Sequence, residues 1–60
     1  MILIDFSNNE TIEFPSLSSA FMYVRDLCVI GIQVLAIHCS DTEDFRALEN
    51  YILKLNNSIN

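Results

Sequence analysis

His38 and Cys39 stand side by side in this chain, and a thiol next to an imidazole is the pairing that activates a sulfur nucleophile. The residues around them, Gln33 to Cys39, are rich in Val, Leu and Ile and too few for a helix, so the segment reads as a strand. Neighbours in a strand project to opposite faces, which keeps this thiol and imidazole from sharing a proton. Cys39 is then expected as a small core residue, and Cys28 likewise. A disulfide between the two is geometrically open, but the chain reads as cytoplasmic and reduced, which opposes it. His38 is left alone on the outward face. The leading expectation for it is a solvated or neutrally hydrogen-bonded imidazole; the alternative is burial in an interface beside Leu3, Val34 and Ala36, which disfavours the charged form and would weaken association through that face at mildly acidic pH.

The carboxylates offer the other chemistry. Asp41, Glu43 and Asp44 form the one dense acidic cluster, suited to a cation or to imitating phosphates. Capping explains it without a ligand. Ser40 and Glu43 fit the S-x-x-E capping box, and Asp41 and Asp44 put negative charge at the positive end of a helix dipole. Asp5, Glu10 and Glu13 make a looser patch, and paired-carboxylate catalysis would need two of them held across a cleft for which a small chain has little room. Gly31 is the single glycine, so no phosphate-cradling loop is present, and no close Cys or His pair is spaced for zinc. No catalytic residue, cofactor, metal or small-molecule substrate is expected, and the chain is read as non-enzymatic.

The elements that position these residues follow from periodicity. Met1 to Phe6 and Thr11 to Phe14 fit strands joined by Ser7-Asn8-Asn9-Glu10, whose residue types tolerate turn geometry. Alternation puts Ile2, Ile4, Phe6, Ile12 and Phe14 on a core face, with Met1, Leu3, Asp5, Thr11 and Glu13 opposite. Ser16 is a suitable N-cap for a helix whose inner stripe is Leu17, Ala20, Phe21, Val24, Leu27 and Cys28. Gly31 suits a left-handed terminating residue, so this helix should end near Ile30. In the third strand Leu35, Ile37 and Cys39 are expected inward and Val34, Ala36 and His38 outward. A second helix with inner residues Phe45, Leu48, Ile52 and Leu55 follows the acidic cluster and is expected to fray in a polar tail over 55–60.

The order strand, strand, helix, strand, helix with a right-handed crossover predicts a two-layer α+β sandwich. Its three-stranded mixed sheet has the order 2-1-3, with both helices on one face. Residues 1–60 are expected to make one domain. A chain of 60 residues with two cysteines has few means of stapling a small core, which raises oligomerisation.

The uncovered face is expected to be unusually apolar. Met1, Leu3, Val34, Ala36 and His38 on the sheet, with Met22 and Tyr23 on the flank of the first helix, are the expected contact residues, and cover of Met22 and Tyr23 by the second helix is an equal alternative. Leu3→Glu or Ala36→Glu should then break up an assembly. The leading reading is a protein-interaction module that self-associates through the uncovered sheet face or the open edge of the third strand. The alternative is a small acidic inhibitor, of the kind phages encode, that occupies the basic groove of a nucleic-acid-handling enzyme. A net charge of −5 opposes direct binding to nucleic acid itself. No apolar run approaches the roughly 18 residues of a membrane span, and the first residues lack the basic region of a signal peptide, so neither a membrane nor export is expected.

Overall fold

A computed structural model describes residues 1–59 of the chain, and the side chains of residues 1–57. The elements are β1 (Ile2–Phe6), β2 (Thr11–Phe14), α1 (Leu17–Val29), β3 (Val34–Cys39) and α2 (Thr42–Ile59). The strands form one α+β sheet of order β2-β1-β3. β1 is antiparallel to both neighbours, so the sheet is antiparallel throughout and not mixed. The crossover through α1 does send β3 in the same direction as β2, but β1 lies between them, and the parallel relation is never hydrogen-bonded.

Local chemistry sets the turns. Between β1 and β2, Asn9 takes φ 69°, a left-handed conformation that Asn adopts at lower cost than most residues. The Asn8 side chain accepts from the amide of Glu10 at 3.1 Å and donates to its carboxylate at 3.0 Å. Ser16 caps α1 by accepting from the Ser19 amide at 3.3 Å. At the other end the Ile32 amide donates to Leu27 O at 2.9 Å and the Gly31 amide to Cys28 O at 3.1 Å. That pair of bonds needs a left-handed residue, and Gly31 supplies φ 90°.

The cap of α2 departs from expectation. Asp41, and not Ser40, closes the helix start: its carboxylate accepts from the amides of Glu43 at 2.9 Å and Asp44 at 3.4 Å. A carboxylate there answers both the free amides and the dipole, which a hydroxyl does less well. Glu43 is then one position too early to reach back in a capping box. At the far end the helical backbone runs through Asn56 and Asn57 to Ile59, over most of the polar tail, and Asn60 lies outside the described residues.

Ile2, Ile4, Phe6 and Phe14 from the sheet join Ala20 and Val24 of α1 and Leu48 of α2 in one buried cluster. Ile12, Leu17, Phe21, Leu27, Cys28, Ile37, Cys39, Ile52 and Leu55 pack around it, so most of the expected inner residues point inward. Phe21 and Tyr51, with ring centroids 4.6 Å apart, join the two helices. Folding leaves 4113 Å² accessible, against roughly 10,000 Å² for an unfolded chain of this mass, so about 60% of the surface leaves water.

Candidate interaction site

The register of the sheet stacks its outward side chains in rows. Glu13, Leu3 and His38 make one row; Thr11, Asp5 and Ala36 make the next. Asp5 joins the rows. Thr11 Oγ1 donates to Asp5 Oδ1 at 2.6 Å, and His38 Nε2 lies 3.0 Å from Oδ2, which places a ring proton on Nε2. The Thr11 hydroxyl, and after it the His38 ring, hold the Asp5 carboxyl below its ordinary value. A carboxylate behind an imidazole is the orienting half of a proton relay. Here the hydroxyl gives its proton to the far oxygen of that carboxylate, away from the ring, so the three side chains tie strands together without forming a nucleophile and its base.

This network changes the character of the outward face. His38 is exposed and hydrogen-bonded, and the acid beside it, Asp5, is one the sequence reading does not place there. Leu3 is half-buried among Glu13, Asp5 and His38 rather than part of a continuous apolar sheet surface. Alternation and strand order already put Asp5, Thr11 and His38 on one face; only the register, which sets Thr11 opposite Asp5 and His38 on the diagonal, was missing.

The larger departure is in β3. Its pairing with β1 runs Ile2 to Cys39, Leu3 to His38, Ile4 to Ile37 and Asp5 to Ala36, then jumps from Phe6 to Val34, leaving Leu35 without a partner on β1. This is a β-bulge, with one extra residue on β3. Its effect is to change the phase of the strand. Val34, expected outward, stands opposite buried Phe6 and packs against the core. Leu35, expected inward, is 67% exposed. Beyond the bulge Ser7 resumes the pairing, its amide donating to Gln33 O at 2.8 Å and its hydroxyl accepting from the Gln33 amide at 2.9 Å.

The redirected residue borders an open groove of about 320 Å³ between the free side of β3 and α2, lined by Val34, Leu35, Ala36, Ile37, Phe45, Glu49, Ile52 and Leu53. Leu53 is 56% exposed. Glu49 is the one charged residue of this lining. The site thus combines a strand edge that pairs with no strand among the described residues with an apolar wall supplied by a helix.

The remaining contact candidates divide. Tyr23 lays its ring against Phe6 and Phe14, at centroid distances of 5.8 and 5.4 Å, so most of its apolar area serves the fold. Met22, Val29 and Ile30 stay exposed on a flank of α1 that Arg25 and Asp26 interrupt. Met1 is exposed at the start of β1. Both thiols are free and half-buried: burial pushes the Cys28 thiol up, and Cys39 Sγ donates to Asp41 O at 3.4 Å. Among the described residues, no group of three or more His, Cys, Asp or Glu gathers to hold a metal ion, and no helix is long and apolar enough to cross a membrane. No protein-family model, curated protein or solved structure matches this chain.

Proposed function

We propose that the chain is a small, acidic, non-enzymatic protein-interaction module that works by offering the β3 edge to an extended strand of another polypeptide. In this reading it is a two-layer α+β sandwich with both helices on one side of the sheet, and the working surface is where α2 and β3 meet. The observation that carries the proposal is the bulge. It takes Leu35 out of the core pattern and sets it in water, in one groove with Leu53, along an edge that pairs with no strand among the described residues. Backbone groups on such an edge supply generic pairing, and apolar pockets beside it supply selectivity. The outward face of the sheet is the weaker candidate, because Asp5, Thr11, Glu13 and His38 make it polar over much of its area.

The test is a titration with a synthetic peptide reproducing residues 32–40, used as an extended-strand probe and followed by amide chemical shifts. Shifts confined to Val34–Ile37 and to Phe45, Glu49 and Leu53 support the edge. Shifts centred on Leu3, Thr11 and His38 would move the site to the sheet face.

The charge of −5 favours one further reading, an acidic inhibitor of a basic protein. Steering by charge makes such binding weaken steeply with salt. Pairing at the apolar edge is nearly indifferent to salt.

A further inference from the structure

We propose that the strand taken up at the β3 edge is β3 of a second copy, in an antiparallel pair about a two-fold axis, joining two sheets into one of six strands. The proposal rests on the reading of β3 as the working edge and adds its occupant.

Three observations select a second copy. First, the two edges of the sheet differ in how they are guarded. β2 is four residues long, carries Glu13, is preceded by Glu10 and is followed by Pro15, all devices that discourage strand addition. β3 is six residues long, has no proline and carries no carboxylate or lysine. A two-fold pair consumes both unguarded edges and leaves a particle bounded by two guarded ones, so growth stops at two. Second, the fold is short of staples. About 60% of its surface is buried, both cysteines are free, and a chain this small gains most from covering apolar area on a partner.

Third, the charges along α2 are self-complementary. Arg46 and Glu49 lie one turn apart on α2, and neither is ion-paired among the described residues. A two-fold reverses α2 of the second copy, so Arg46 of each copy approaches Glu49 of the other. It also sets the acidic start of α2, Asp41 to Asp44, toward the end of the second helix that carries Lys54. The reversed helix dipoles are mutually favourable as well.

The pleat restricts the register. Residues directly opposite on antiparallel strands share a face, so the axis passes through a residue position and not between two. Centred on Ile37, the pair sets Ala36 opposite His38 of the second copy and Leu35 opposite its Cys39. With the bulge at Leu35, Ala36–His38 is the regular stretch that this register pairs.

The experiment measures solution mass across a concentration series by sedimentation equilibrium, with circular dichroism confirming that each variant is folded. The parent chain is expected to be a dimer. Leu35→Glu and Leu53→Glu each bury an unpaired carboxylate at the seam and should raise the dissociation constant about tenfold or more, whereas Leu3→Glu on the sheet face should leave it unchanged. Arg46→Glu alone and Glu49→Arg alone should weaken the dimer, and the two together should restore it.

Each contrary result is distinct. A parent chain that stays monomeric at high concentration, while the strand peptide still shifts the groove amides, overturns the second copy and leaves the edge reading standing. A dimer whose constant ignores Leu35→Glu and Leu53→Glu overturns both. A dimer broken by both leucine variants but not rescued by the charge exchange overturns the reversed arrangement of α2.

Discussion

The two outer strands of this sheet pair with the same central strand, yet they meet solvent on opposite terms. β2 is short and flanked by Glu10 and Pro15, with Glu13 within it. β3 is longer, apolar and borders a groove walled by α2. Backbone geometry offers equal pairing capacity at both edges, so the difference lies in side chains: one edge carries the devices that discourage strand addition and the other lacks them.

That contrast can be broken or sharpened, and the largest effect should come from the core beneath. Leu48 is fully buried and anchors α2 to the sheet. Leu48→Ala should cost about 2–5 kcal/mol, a large share of the roughly 3–9 kcal/mol expected for a chain of this length. Urea denaturation should show the midpoint moved far toward zero denaturant, with the wall of the groove loosened along with it. Next comes removal of the guard on the other edge. Glu13→Val should give β2 an apolar edge and allow assembly beyond a pair, seen as growth in light scattering with concentration, while leaving stability within about 0.5 kcal/mol.

Capping gives a smaller and local change. Asp41→Ala should lower stability by about 1 kcal/mol in a denaturant melt, and Ser40→Ala should leave it nearly unchanged. The smallest effect belongs to the polar network on the outward face. The Asp5 carboxyl is held below its ordinary value of 3.8, so the folded state binds that proton less readily than the unfolded one. Its contribution is present above that value and is lost as pH falls through it toward the folded value. Thr11→Val removes the larger cause and should move the Asp5 titration upward, as followed by carboxyl chemical shifts.

The strand alternation of Ile2, Ile4, Phe6 and Phe14, the helical stripe around Ala20 and Val24 and the stop at Gly31 were all legible in the sequence, because each is written in a local period or a local conformational need. The strand order followed from handedness and hydrophobicity. The phase of β3 was not legible. Val34, Leu35, Ala36 and Ile37 are all apolar, so alternation has no contrast to read, and an inserted residue leaves no mark in composition. The partner of His38 was hidden for a different reason: Asp5 lies 33 positions away, and only the paired register brings them together. The cap falls on Asp41 where the sequence also offers Ser40, because the two are adjacent and both accept hydrogen bonds, and the dipole favours the charged one.

Leu35 is also a residue that the backbone does not need. Excising it would let β3 track β1 one for one, with Val34 still under Phe6 and Ala36 still beside Asp5. On the proposed reading, loss or replacement of this residue would change what the β3 edge can receive while the pairing of β1 with the rest of β3 stays as it is. Association is then tuned, in that reading, by the length of one strand, separately from the periodic residues that build the core.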